Sequence, residues 1–221
     1  MQIRIFQINE ERDVNFLKFL EVRPDDPRRG DPSIYDEVFC GEVPCMNELS
    51  LYAAFSPGKN PLFRGDKLSL KDVVLTEKGA FYLDHQGMVP VDFDVSRAHR
   101  PDDLLRIVYV EPDKPSFVSD IRNDLATMQK AVGGRIEPIY NRDGTILIAN
   151  KESNLLDMDG NRRVEGSIIA GPFFVVGDNG EDFRSLTDAE TQRYMERFAQ
   201  PEDINQEEIE EDSGFTLMAW K

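Results

Sequence analysis

The sequence predicts an α+β protein of two small domains, each a mostly antiparallel sheet with one or two packed helices. Short apolar segments alternate with turn residues along the 221-residue chain, and few of them show a helical stripe. Segment 95–104 is polar and contains a proline, so it is expected to link residues 1–94 to residues 105–200. A chain of 221 residues accommodates two domains of about 100 residues each.

Residues 1–94 are expected to contain short strands and two helices. The alternation in residues 3–7 predicts a strand, whereas Phe16, Leu17 and Leu20 lie on one stripe of a helix predicted over residues 13–20. A charged loop with Pro and Gly follows. The other predicted elements are a strand over 34–43, a helix over 46–55, a strand over 68–75 and a hairpin of 81–84 with 88–91.

Residues 105–200 are expected to begin with a strand over 105–110. Five apolar residues between 117 and 132 then recur at spacings of three and four, which predicts an amphipathic helix that Gly133 terminates. The other predicted elements are a hairpin of 136–140 with 145–149, a buried strand over 167–176 and a helix from a capping box at Thr187 to Phe198.

The net charge of −16 is concentrated near the C-terminus. Residues 181–221 contain twelve acidic side chains and four basic ones, and the sequence assigns much of this acidity to a solvated tail over 201–221. Direct binding to duplex DNA is not expected, because phosphate contacts need clustered Lys and Arg. No apolar run approaches the roughly 20 residues that span a bilayer, so no membrane partner is expected.

The sequence favours a cytoplasmic location, since the N-terminal segment lacks the apolar stretch of a signal peptide. Cys40 and Cys45 lack the second pair of ligands that a zinc site requires. The Asp-rich segment 157–161 lacks the spacing of an EF-hand. No metal, cofactor or catalytic residue is predicted, and His85 and His99 are expected to be ordinary surface residues.

Three segments of the first half resemble the YodL-like domain over about residues 1–94. The first segment matches at Tyr35, Val38, Gly41 and Glu42. The matching residues of the other two segments are Phe63, Arg64, Gly65, Leu68, Ser69, Asp72, Val73, Val74, Tyr82, Asp84 and Gly87. No catalytic mechanism is implied by this resemblance.

The second half resembles a domain of unknown function that is typical of phage and conjugative-element accessory proteins, over about residues 105–180. The best-matching residues are Lys114, Pro115, Asn123, Leu125, Gln129, Val132, Gly133, Gly134, Ile136 and Glu137. A looser match follows at Asn150, Glu152, Leu155, Asn161 and Arg162. The resemblance implies an accessory role in a mobile genetic element, often thought to counter host defence.

The candidate binding residues are polar positions within these segments. Arg64 is expected to have a carboxylate partner, for which Asp72 and Asp84 are the candidates. The candidates in the second half are Asn123, Glu137, Asn150, Asn161 and Arg162, which either line a groove or cap turns. In the C-terminal segment Phe215, Leu217 and Trp220 suit a strand added to a sheet edge, of this protein or of a partner.

The leading hypothesis is a non-enzymatic accessory protein of a phage, plasmid or integrative element. It would act by binding a host or element-encoded protein, with a host defence component as one candidate. One alternative is an acidic DNA mimic that inhibits a nucleic-acid-binding protein. Another is a small-ligand-binding protein or enzyme that uses the second domain. The sequence does not specify the oligomeric state.

Overall fold

A computed structural model of the chain describes residues 1–23, 26–44 and 47–219, with side chains for all of these except 48 and 213–219. The fold is α+β and mostly antiparallel, as predicted. The chain divides into two compact units, Met1–Asp102 and Asp103–Lys221.

The first unit contains a five-stranded antiparallel sheet in the order β5-β4-β3-β1-β2. Its elements are β1 (Gln2–Ile8), β2 (Tyr35–Glu42), α1 (Glu48–Ala54), β3 (Val73–Thr76), β4 (Gly79–Asp84) and β5 (Gly87–Pro90). Most of the predicted strands are therefore present, although β3 is shorter than expected. Two aromatic groups fill the core, Phe6, Tyr35, Tyr82 and Phe93 in one and Phe39, Phe55 and Phe63 in the other.

The predicted linker is tied to the first unit over most of its length. Val95–Arg97 forms a 3₁₀ turn that the Asp94 side chain caps. The His99 N–H donates to the carbonyl of Tyr35, and the Glu37 N–H donates to the carbonyl of His99. These bonds explain why the division between the units follows Asp102.

The second unit contains a sheet in the order β7-β6-β12-β9-β8, with β13 paired to β12 and a separate hairpin β10–β11. Its strands are β6 (Leu104–Val110), β7 (Phe117–Arg122), β8 (Ile136–Tyr140), β9 (Thr145–Asn150), β10 (Gly160–Val164), β11 (Ser167–Ala170), β12 (Phe173–Asp178) and β13 (Phe183–Arg184). Its helices are α2 (Leu125–Val132), α3 (Asp188–Arg197) and α4 (Gln206–Ala219).

Both faces of this second sheet are covered, so its central strands are buried at consecutive residues. All six residues of β9 are buried. One face packs against α3 through Tyr194 and Phe198, and against the β10–β11 hairpin. On the other face the Tyr109 hydroxyl donates to the carbonyl of Ala131 in α2 at 2.7 Å. A sheet that is buried on both faces is expected to have strands of consecutive apolar residues.

The helix predicted between residues 117 and 132 is wrong in its first half. Phe117–Arg122 is strand β7, paired with β6, and the helix begins only after Asp124, whose carboxylate accepts from the Thr127 N–H. A spacing of four residues returns to the same face of a strand as well as of a helix, so it did not separate the two. The predicted stop is present, since Gly133 has a φ of 75°.

Two other predicted elements differ from the structure, and one strand was missed. The strand expected over 167–176 is two strands, β11 and β12, because Gly171 has a φ of 74° and Pro172 lacks an N–H. The strand β10 was not predicted. Residues 13–20 form turns instead of a helix, because Phe16 adopts a φ of 55°, outside the helical range.

The C-terminal segment is helical as far as Ala219 and is not an added strand, while Glu207, Glu210 and Glu211 are exposed. The Glu208 N–H donates to Asn205 Oδ1 and the Asn205 N–H donates to a Glu208 carboxylate oxygen, each at 3.0 Å, which caps α4. Ile209 is 3% exposed, so the start of α4 packs on the protein. The backbone of Phe215 and Leu217 is helical, their side chains are not described, and Trp220 lies outside the described residues.

Candidate functional site

Residues 13–20 of the first unit, here called the apolar loop, expose four large apolar side chains. Val14 is 76% exposed, Phe16 66%, Phe19 68% and Leu20 51%. Only Leu17, at 4%, turns into the core. Single exposed apolar residues are common on protein surfaces, but four on one short segment form a patch of the kind used in recognition.

Hydrogen bonds at both ends hold the backbone of the apolar loop in place. The Asp13 carboxylate accepts from the Leu17 N–H at 2.8 Å and the Lys18 N–H at 2.7 Å. At the other end the Lys71 ammonium group donates to the carbonyls of Leu17 and Lys18, at 3.0 and 2.8 Å, and to that of Leu20. The exposed side chains therefore project from an ordered backbone.

Lys71 is itself fixed by the core of the first unit. Its φ is 75°, its N–H donates to the carbonyl of Leu83 at 2.7 Å, and its carbonyl accepts from the Tyr35 hydroxyl at 2.8 Å. Burial lowers the pKa of its ammonium group, while the charges of Asp13 and Glu21 oppose that shift. A left-handed backbone at a residue with a long side chain indicates a conformation that its surroundings impose.

An open groove of about 830 Å³ lies beside the apolar loop. Leu68, Leu83, Tyr52 and Tyr82 contribute to its walls, and Phe19 and Leu20 of the loop line it. Groove volumes of this order suit side chains of a partner as well as a small molecule. Charged side chains, among them Lys18, Lys67 and Asp84, also line the groove. The loop and the groove, joined through Phe19 and Leu20, are the candidate functional site.

Two of the predicted binding residues lie next to this surface. Asp72 is 5% exposed, and its carboxylate accepts from Gln7 Nε2 and from the Ser69 N–H, each at 2.7 Å. Burial raises the pKa of Asp72, and these two hydrogen bonds lower it by less, so that the pKa is about 7. Asp84 lines the groove and pairs with Arg29 at 2.6 Å.

Arg64 has a carboxylate partner other than the two expected. Its Nη2 donates to the Glu37 carbonyl at 3.2 Å and lies 3.6 Å from a Glu37 carboxylate oxygen. Glu37 is 1% exposed, and Arg4 also donates to it at 2.6 Å. The expectation of Asp72 or Asp84 is thus replaced by Glu37, because β2 places that residue under the segment that carries Arg64.

Asn150, in the second unit, joins the end of α2 to the sheet. It is 3% exposed, donates to the Val132 carbonyl at 3.2 Å and accepts from the Glu152 N–H at 2.8 Å. A Cβ at Gly134 would lie 2.6 Å from the Asn150 amide nitrogen, so glycine permits this approach. These contacts match the turn-capping alternative.

Asn161 and Arg162 hold separate segments of the second unit together. Asn161 is fully buried and donates to the carbonyls of Val110 and Gly171, at 3.1 and 2.7 Å. Arg162 is 1% exposed and donates to the carbonyls of Lys114 and Phe198, at 2.7 and 3.2 Å. Its Nη1 also donates to the Asn161 side chain at 2.9 Å, and burial lowers the pKa of its guanidinium.

The remaining predicted residues lie apart from this pair. Asn123 is half-buried and donates to Asp182 at 3.2 Å, while Glu137 is exposed on β8. Of the two histidines, His85 lies in the turn beside Asp84, and His99 pairs with Asp36 at 3.0 Å. The structure therefore does not bring the polar residues of the second unit together around one cavity among the described residues.

The apolar loop is not recognisable as an exposed surface from the sequence. A helix over 13–20 would have turned Phe16, Leu17 and Leu20 to one buried side. The density of apolar residues in a segment bounded by Asp13 and Lys18 was the available signal. This signal was ambiguous, because the group that donates to the loop carbonyls is the ammonium of Lys71, more than fifty residues away in the chain.

Residues 105–199 match the family model of a domain of unknown function, DUF3846. This range begins in β6 and ends just after α3, so it excludes α4. No match was found among curated proteins or among solved structures. The resemblance of residues 1–94 to the YodL-like domain stays a prediction. In the part of the chain that the structure describes, no helix is long and apolar enough to cross a membrane.

Proposed function

We propose that this protein, whose second unit contains a DUF3846 domain, is a non-enzymatic binding protein that engages a protein partner through the apolar loop. The observation that carries the proposal is the exposure of Val14, Phe16, Phe19 and Leu20 on a backbone held by Asp13 and Lys71. A preformed apolar surface loses less conformational entropy on binding than a flexible one. A few side chains near the centre of an interface also supply most of its binding energy.

The strained backbone within the loop supports the same conclusion. Phe16 keeps a φ of 55° although an aromatic side chain disfavours it, and the residue is 66% exposed. Such strain persists where surrounding contacts impose it and is concentrated at functional segments. The resemblances to proteins of mobile elements support an accessory role in a phage, plasmid or integrative element, with a host protein as the partner.

The proposal is tested by placing a photo-cross-linking amino acid at Phe19 and, as a control, at Leu125. Leu125 is also an exposed apolar residue, at 57%, but it lies at the start of α2 in the second unit. We expect one discrete cross-linked protein from position 19 and none of that size from position 125. A second experiment places the cross-linker at position 20, so that residue 19 can be substituted. The double variant Val14→Asp with Phe19→Asp should then give no cross-linked product.

Equal cross-linking from both positions, or none from position 19, would contradict the proposal. Far-UV circular dichroism of the Val14→Asp and Phe19→Asp protein should match that of the parent, because both side chains are largely exposed. A product with twice the mass of the chain would identify the partner as a second copy.

The DNA-mimic alternative draws on α4, where Glu207, Glu210 and Glu211 are exposed. However, other acids of the segment are engaged, since Glu202 and Glu208 both pair with Arg163. The ordered acidic stripe is consequently short. DNA mimicry predicts that this protein releases a DNA-binding protein from DNA. If Glu→Gln changes at the three exposed acids abolished that release, mimicry would be favoured over binding through the apolar loop.

A further inference from the structure

A second groove, here called the acidic groove, opens on the face of the second unit that carries the β10–β11 hairpin. Its volume is about 670 Å³, and it lies between β8, the turn that follows β9, the β10–β11 hairpin and Asp212 of α4. It belongs to a different unit from the apolar loop, so the two surfaces can be tested separately.

The floor of the acidic groove is apolar and continuous with the core. Val164 and Ile169 line it and are 5% and 7% exposed, and both belong to the same cluster as the sheet residues beneath α3. Ile139 of β8 packs against that cluster from the side. Leu155, in the turn after β9, lines the groove and is 84% exposed. The groove thus offers aliphatic contacts to an occupant.

The rim of the acidic groove has a single sign of charge. Its ionisable lining residues are Glu137, Glu165 and Asp212, with no lysine or arginine among the described residues that line it. Glu137 and Glu165 are exposed, and no ion pair to either is found within the described part of the chain. The nearby Arg163 does not neutralise them, because its guanidinium pairs with Glu202 and Glu208.

We propose that the acidic groove binds a cationic amphipathic segment of a protein partner, with aliphatic side chains on the floor and Lys or Arg at the rim. Charge complementarity selects this occupant, since the rim is acidic and the whole chain carries −16. The same charge disfavours a nucleic acid or an acidic peptide. Strand addition at the β8 edge is disfavoured, because Pro138 removes a backbone donor from its centre.

The test uses two labelled synthetic peptides of about 14 residues and the full-length protein at roughly physiological ionic strength, where charges are screened beyond about 8 Å. Both peptides carry leucines at helical spacing, with lysines between them in one and glutamates in the other. Fluorescence anisotropy is expected to show saturable binding of the lysine peptide and none of the glutamate peptide.

The variant that identifies the site is Glu137→Lys with Glu165→Lys, which should raise the Kd of the lysine peptide at least about tenfold, equivalent to about 1.4 kcal/mol. The matched control is Glu181→Lys with Asp203→Lys, which makes the same change in net charge at two residues that do not line the groove. It should change the Kd by less than about twofold. Leu155→Ser should weaken binding about fivefold without any change in charge.

Equal weakening by both charge-reversed proteins would overturn the proposal, since it would show attraction to the overall charge. Equal binding of the glutamate peptide, or no binding of the lysine peptide at about 1 mM, a weak-affinity limit, would overturn it as well. Deletion of residues 213–221 is the remaining test. If the lysine peptide binds only after this deletion, the chain's own C-terminus occupies the groove and the proposed partner is excluded.

Discussion

Replacing Asp72 with asparagine should remove a pH dependence of stability from the first unit. The Asp72 carboxyl is 5% exposed, and burial raises its pKa from 3.8 to about 7. The bonds from Gln7 and Ser69 lower that pKa, and the charge of Lys18 lowers it further by a smaller amount. The net shift favours the protonated carboxyl in the folded protein.

The sign of the effect follows from the direction of this shift. A carboxyl with a raised folded pKa binds its proton more tightly in the folded state, so stability falls as the pH rises from about 4 to about 7. A shift of about three units, at about 1.36 kcal/mol per unit, gives a loss of up to about 4 kcal/mol. The neutral amide introduced by Asp72→Asn would resemble the protonated carboxyl and avoid this loss.

Hydrogen exchange measured by mass spectrometry is the suitable assay, because it reports on the first unit separately. Peptides from β1 and β3, corrected for intrinsic exchange rates, should lose protection between about pH 4 and about pH 7 in the parent protein, the interval between the unfolded and folded pKa of Asp72. Asp72→Asn should flatten this loss, whereas Asp92→Asn, a change at an exposed acid, should not. Parallel pH profiles for the parent and Asp72→Asn, or an Asp72 carboxyl that titrates below about pH 5 by NMR, would refute the reasoning, since that range is close to an unperturbed Asp.

Three further changes test other contacts. Lys71→Met should raise the exchange rates of the amides in residues 13–20 at least about tenfold, equivalent to about 1.4 kcal/mol, because three carbonyls lose their donor. Unchanged rates would contradict this role. Arg162→Met should lower the free energy of unfolding in urea by about 3–5 kcal/mol, because buried carbonyls lose their donors. A loss below about 1 kcal/mol, as for a typical surface change, would contradict it. Tyr194→Phe should cost about 1–3 kcal/mol in the same assay, since the hydroxyl contacts Asp143 and Thr145 at 2.8 and 2.6 Å. An unchanged urea midpoint would count against a stabilising role for this hydroxyl.

The elements that could be predicted depend on residues close together in the chain. Thr187 and Glu190 form the capping box of α3, as predicted, since both partners lie within one helical turn. The hairpin β8–β9 was predicted from its turn residues. The boundary between β7 and α2 was not, because a four-residue spacing suits both structures. Asp124, which caps α2, was the local signal that separated them.

The candidate site could not be predicted, because it depends on distant contacts. The loop that exposes Phe16 and Phe19 has its carbonyls bound by Lys71, more than fifty residues away in the chain. Arg64 was chosen as a candidate from its local sequence, whereas its partner Glu37 lies on β2, in a distant part of the chain.

The sequence alone therefore determined the α+β class, most of the strands, the capping box of α3 and the glycine that ends α2, since these follow from periodicity and from bonds between near neighbours. Tertiary structure decided which polar residues are buried and which apolar ones are exposed. Asn161 and Arg162 serve the fold because the carbonyls of Val110 and Phe198 reach them from distant strands and helices. The four apolar side chains between Val14 and Leu20 remain at the surface because the loop backbone is held on both sides.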